Sequence, residues 1–86
     1  MTAPADWLDD GKALRRVYET AGFNAAVALI GKIAILAQEA DHHPDLHLTG
    51  YRRLEVVLST HDSGDVVTDK DYQLAAKIEA LPKLLK

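Results

Sequence analysis

The sequence predicts an α+β fold, with helices packed on one face of an antiparallel sheet, and three observations carry that expectation. Apolar residues recur at steps of three and four between Phe23 and Asp41, the spacing that stacks side chains on one helical face. From Leu54 to Thr60, Leu54, Val56 and Leu58 share one face of a run rich in β-branched residues, which fits a pleated, half-buried strand. The strand and helix signals do not alternate in the order that builds a parallel βαβ sheet. With 86 residues the chain is expected to form one domain over residues 1–86. A domain this small buries only about 60–65% of its unfolded surface, so self-association would help it.

Taken in order, Trp7-Leu8 can open a first strand and Leu14–Glu19 a second, weakened by Arg15-Arg16. In the long helix, Phe23, Ala26, Val27, Ile30, Ile33, Ala34 and Ala37 form one stripe. Leu29, Ile33, Leu36 and Ala40 add another, an arc wide enough to meet two surroundings. The helix spans about 28 Å. Pro44 is expected to end it, because proline disfavours α geometry in the residue before it. Leu46–Tyr51 alternates weakly, and a turn at Thr49-Gly50 would make it the antiparallel partner of Leu54–Thr60, with Tyr51 packed across the pair. Thr68-Asp69-Lys70-Asp71 reads as a capping box with Asp in place of Glu, followed by Leu74, Ile78 and Leu81 on one face. Pro82 marks the end of that helix and leaves Lys83–Lys86 as a tail.

Composition narrows the function classes. Hydrophobic residues at 48% and charged residues at 27% describe a folded soluble chain rather than a disordered one. The absence of Cys excludes disulfides, thiol catalysis and Cys-ligated metal sites. A formal charge of −3 argues against nucleic acid as a partner. The N-terminal residues have neither the basic start nor the apolar core of a signal peptide, and the apolar stretches Ala25–Ile30 and Ile33–Ala37 are split by Gly31-Lys32. No membrane span is expected, and the cytoplasm is the default location.

Four histidines, three of them between Asp41 and His47, are the chemical peculiarity. His42 and His43 fall at a helix end and His61 at the exit of the strongest strand. An α+β layer can bring two such ends together and place two imidazoles around one cleft. Imidazole, with an ordinary pKa of about 6.5, suits proton donation and withdrawal near neutrality. Ser59, Thr60 and Ser63 lie near His61, yet no oxyanion-hole motif accompanies them. Plainer roles compete: a His at a helix C-terminus complements the macrodipole by about 0.3–1 kcal/mol, and Asp71 is explained as the capping partner of Thr68. Zinc is not expected, because adjacent His42 and His43 converge poorly on one ion and Pro44 breaks the helix that would align His43 with His47.

Glu39-Ala40-Asp41-His42-His43-Pro44, then Tyr51, Ser59-Thr60-His61 and Val67-Thr68-Asp69-Lys70-Asp71 together resemble the signature of the pterin-4a-carbinolamine dehydratases, over about Trp7 to Leu81. That resemblance implies a four-stranded antiparallel sheet with two or three helices on one face, assembled as a homodimer or homotetramer. The implied reaction is loss of water from 4a-hydroxytetrahydropterin to give quinonoid dihydropterin, with no metal or bound cofactor. His42 and His61 would be the acid/base pair, His43 would shape and hydrogen-bond the pterin site, and Asp71 would orient or polarise a histidine. Pro44 would fix the helix exit, and Tyr51 and Glu39 join it among the substrate-binding residues.

Several positions depart from the family pattern. Gln38 stands where many members have an ionisable side chain, and a helical step of about 100° turns the neighbouring Glu39 elsewhere. Leu46 replaces an aromatic, and both the Pro44–Tyr51 spacing and the loop after His61 are about one residue long, the loop without paired glycines. No helix is expected ahead of the first strand. The alternative is therefore a non-catalytic relative that works by binding protein. The family also contains a transcription-factor dimerisation cofactor and a pterin dehydratase-like RuBisCO assembly factor of α-carboxysomes. RuBisCO subunits are then the implied partner, and Ile35, on the helix face of Lys32 and Glu39, the contact candidate. The enzyme is placed first, because acid/base residues are readily lost once chemistry stops mattering.

Overall fold

Leu54, Val56 and Leu58 are fully buried along one face of a strand at Arg53–Leu58, and the rest of the fold is arranged around them. In the computed structural model, which describes residues 2–86, the elements run β1 (Leu8–Asp9), β2 (Leu14–Glu19), α1 (Phe23–Ala40), β3 (Asp45–Thr49), β4 (Arg53–Leu58) and α2 (Asp69–Ala80). A 3-10 turn at His61–Ser63 lies between β4 and α2. The strands form one antiparallel sheet in the order β1-β2-β4-β3. The register sets Leu14 opposite Leu58, Arg16 opposite Val56 and Tyr18 opposite Leu54, so the buried side chains share one face. Leu29 and Ile33 of α1 and Leu74, Ala75 and Ile78 of α2 join the same core, which places both helices over that face. Full burial of a side chain such as Ile33 stabilises by about 1.5–3 kcal/mol.

The boundaries differ from expectation in ways that matter for the site. Helix α1 ends at Ala40, before Pro44 can act, because Asp41 turns into the left-handed region at φ 49° and its N–H caps Ala37 and Gln38 carbonyls. Asp tolerates that geometry better than most side chains. Strand β3 begins at Asp45 and stops at Thr49, and β4 ends at Leu58, so Ser59 and Thr60 lie past the ladder. The residues after Leu81 do not hang free: Ala21 N–H donates to Leu84 O at 2.8 Å and Lys86 N–H to Glu19 O at 2.9 Å, extending β2's end.

The arc of α1 does meet two surroundings. Ala26, Leu29, Ile33 and Ala37 are buried, whereas Phe23, Val27 and Ile35 are exposed, Ile35 at 63%. By length and mean hydropathy, 1.3 over 18 residues, α1 reaches the range of a membrane-crossing helix, despite the Gly31-Lys32 interruption. Its buried face packs on the sheet.

Arg16 is accommodated on the core side because Glu79 of α2 answers it. Glu79 Oε1 accepts from Tyr18 OH at 2.7 Å and Trp7 Nε1–H at 2.9 Å, and Arg16 Nε lies 3.5 Å away. Burial works to raise the Glu79 pKa, but the Tyr18 and Trp7 hydrogen bonds, with the Arg16 and Lys83 charges, outweigh it and hold the pKa below the ordinary value. A depressed folded pKa contributes stability above the unfolded value, near 4.3, and that contribution is lost as pH falls through the folded one. Glu79→Gln is therefore expected to lower Tm at pH 7 and to narrow the gap to wild type on acidification. Thermal melts between pH 7 and pH 3 read this; parallel melting curves would contradict it.

Candidate functional site

The left-handed turn at Asp41 brings the chain out of α1 beside the loop that follows β4, and the two segments enclose a cleft of about 170 Å³. Its lining comprises Asp41, His42 and His43 from the helix exit, Ser59, Thr60, His61 and Asp62 from the strand exit, and Lys70 from the first turn of α2. A second cavity of about 160 Å³ shares His42 and Lys70 and reaches Leu74 and Lys77. Each alone falls below the roughly 300 Å³ at which small-molecule pockets begin.

His42 is the held imidazole. Its Nε2 lies 2.6 Å from Asp71 Oδ1, with 11% of the His42 side chain exposed and none of Asp71. The other carboxylate oxygen of Asp71 accepts from the Thr60 hydroxyl at 2.8 Å and from Thr68 N–H at 2.9 Å. The capping role and the histidine-orienting role of Asp71 are thus served by one carboxylate, one oxygen each. Because the Thr60 hydroxyl proton goes to Asp71, the 2.7 Å contact between Thr60 and Thr68 oxygens must be donated by Thr68. As an ionised, acceptor-only group, Asp71 assigns the proton to Nε2 of His42, which leaves Nδ1 as the nitrogen free to exchange a proton.

His61 is held differently. It opens the 3-10 turn with 70% of its side chain exposed, and its Nδ1 lies 2.5 Å from Asp65 Oδ1. The Asp65 hydrogen bond and charge raise the His61 pKa above the ordinary imidazole value against desolvation of the ring, with Asp45 and Asp62 adding lesser effects in the same direction. His43 lies at the rim, where its Nε2 is 2.6 Å from Gln38 Oε1. Gln38 therefore still holds a histidine of the site, though it cannot supply charge.

Three residues expected at the substrate lie elsewhere. Tyr51 stands in the turn between β3 and β4 at φ 57°, exposed and 5.7 Å from the Arg52 guanidinium, so it does not pack across the strands. The cleft is at the other end of that hairpin, about 16 Å along β3. Glu39 is exposed on α1, turned about 100° from Gln38, and does not line the cleft. Pro44 joins the helix exit to β3 without entering the lining, and half-buried Leu46 points with the core side of its strand. His47 lies opposite Glu55 on edge strand β3, outside the cleft. Among the described residues, no group of three His, Asp or Glu side chains is arranged to hold a metal ion.

Sequence reasoning missed Lys70, Thr60 and Asp65 as members of the site. His61 and Asp65 stand four residues apart, a local signal. Thr60 and Lys70 stand in stretches legible as a strand exit and a capping turn, but their meeting at one cleft is decided by how α2 seats beside β4.

The chain is similar in sequence and fold to several known proteins. The profile of the family described as pterin 4 alpha carbinolamine dehydratase matches residues 1–81. A protein of Gloeobacter violaceus carrying the provisional name pterin-4-alpha-carbinolamine dehydratase 2 is 44% identical over 78 residues, covering 86% of this chain and 83% of its own. Among solved structures, the transcriptional coactivator/pterin dehydratase of Brucella melitensis superposes with a TM-score of 0.78 at 31% identity, over 88% of this chain and 81% of that one. A pterin dehydratase-like protein identified as a RuBisCO assembly factor in the alpha-carboxysome superposes with a TM-score of 0.70 at 20% identity, over 87% of each chain, and shares the fold.

Proposed function

The chain belongs to the pterin 4 alpha carbinolamine dehydratase family, and on that premise we propose that it dehydrates a 4a-hydroxytetrahydropterin to the quinonoid dihydropterin. The observation that carries the reading is the convergence of His42 and His61 on one cleft, each imidazole tied through one nitrogen to a carboxylate. Elimination needs a base at N5–H and an acid at the C4a hydroxyl. His42 Nδ1 takes the N5 proton, and that electron pair forms the C4a=N5 bond. His61 gives its proton to the hydroxyl oxygen, and the C4a–O bond breaks with its electron pair leaving in water. The two histidines then return to their starting states by proton exchange with solvent. Positioned groups of this kind contribute about 10²–10⁴-fold each. His43 and Lys70 border the cleft where the ring's polar edge would lie, and self-association through the exposed apolar side chains of α1 belongs to the same reading.

Stopped-flow absorbance of 4a-hydroxytetrahydropterin decay at neutral pH tests it. Wild type is expected to accelerate decay over buffer, and His42→Ala to abolish most of that acceleration. Folded wild type that leaves the buffer rate unchanged removes the dehydratase. The alternative, a protein-binding member with RuBisCO subunits as partner, rests on likeness of fold, and co-purification with RuBisCO subunits would be its own evidence.

A further inference from the structure

The loop between the 3-10 turn and α2 contains an aspartate where the backbone favours glycine. Gly64 and Asp65 are both left-handed, at φ 84° and 58°, a conformation that L side chains rarely adopt. Backbone bonds fold this loop back on the strand exit: Gly64 N–H donates to His61 O at 3.0 Å and Asp65 N–H to Thr60 O at 3.1 Å. Thr60 also pairs with Val66 as an isolated bridge. The result swings the Asp65 side chain back onto His61, whose Nδ1 it meets at 2.5 Å. Among the described residues no other side chain bonds this imidazole, which is 70% exposed.

Resting on the dehydratase reading above, we propose that Asp65 is the positioning residue of the exposed histidine: by tying down Nδ1 of His61 it leaves Nε2 as the nitrogen that serves the cleft, as proton donor to the departing hydroxyl. The two ring nitrogens lie on opposite sides of the imidazole, so engagement of one determines which can serve the substrate. The arrangement parallels that of His42, in which a buried carboxylate engages Nε2 and leaves Nδ1. One site thus offers opposite nitrogens of two imidazoles, one backed by a buried carboxylate and one by an exposed carboxylate. Charged groups facing His61 come from each neighbouring element: Asp65 and Asp62 in its own loop, Asp45 at the start of β3, Asp41 at the exit of α1 and Lys70 on α2. Of these, Asp65 leads in raising the His61 pKa, and Asp45 and Asp62 add to it.

Asp65→Asn and Asp65→Gly in the intact protein test the assignment, the glycine variant being compatible with the left-handed backbone and so secure in folding. His61 is followed by NMR titration of its ring resonances without substrate, and dehydration is followed against pH. Both variants are expected to move the His61 midpoint to lower pH. The alkaline fall of kcat should move with it, KM staying near wild type and kcat recovering as pH is lowered. A purely structural Asp65 would alter Tm and leave both profiles in place. A His61 midpoint unchanged in both variants overturns the proposal. If wild type proves inactive, the dehydratase reading fails by itself, and the titration still decides whether Asp65 governs His61.

Discussion

Asp71→Asn is expected to destabilise the protein by about 3 kcal/mol and to remove most of the dehydration activity, because a single buried carboxylate joins the fold to the site. Oδ2 of Asp71 takes Thr68 N–H at the start of α2 and the hydroxyl of Thr60 just past β4, while Oδ1 takes His42. An asparagine has one acceptor oxygen and turns an N–H₂ group toward the remaining donors. At least one buried donor would then lose its partner, in a place where Asp71 has no exposed surface. For a domain of this length, about 3 kcal/mol corresponds to a fall in Tm of roughly 12–24 °C. Calorimetry reads the stability, and stopped-flow decay at a temperature where the variant is folded reads the activity, expected to drop by about 10² or more. A variant melting within a degree or two of wild type would take the structural load from Asp71, and one that keeps the wild-type rate would take the catalytic one.

His61→Ala is the complementary case, with the largest expected effect on rate and almost none on stability. The side chain is 70% exposed and its partner Asp65 is equally open, so truncation should leave Tm close to that of wild type. Loss of the proton donor should nevertheless lower kcat by about 10²–10⁴. Because Asp65 raises the His61 pKa, the protonated form persists to higher pH than a free imidazole would allow, and wild-type activity is expected to decline on the alkaline side. In His61→Ala that alkaline decline should vanish together with the rate. Retention of more than a tenth of wild-type kcat would take the acid role away from His61. Together the two variants separate a histidine that needs the fold from one that the fold merely presents.

The two variants also mark how far local sequence signals reach. Residues 14–19 and the 3.6-residue periodicity of α1 were legible because each depends on neighbours a few positions away. The helix start at Thr68 was legible for the same reason, as the capping exchange spans three residues. The end of α2 ahead of Pro82 was legible too, whereas the end of α1 was not: Pro44 is a strong local stop, but the free carbonyls of α1 were already satisfied through Asp41. Tyr51 shows the other failure. An aromatic beside a strand suggests cross-strand packing, yet the turn places it at φ 57°, where its ring leaves the sheet for Arg52.

By itself the sequence determined the α+β class, the two helices and their apolar faces, and the histidine-bearing motifs that identify the family. These follow from periodicity, capping and residue type, all of which are local. Only the tertiary structure decided that Asp71 serves helix and histidine at once, that Gln38 holds His43, and that Glu79 gathers Trp7, Arg16 and Tyr18 from 61 or more residues away. Such partners are chosen by the register of β2 on β4 and by the seating of α2 across the sheet. Hydrogen bonds act over about 3 Å, and the chain positions that come within that distance are settled by packing.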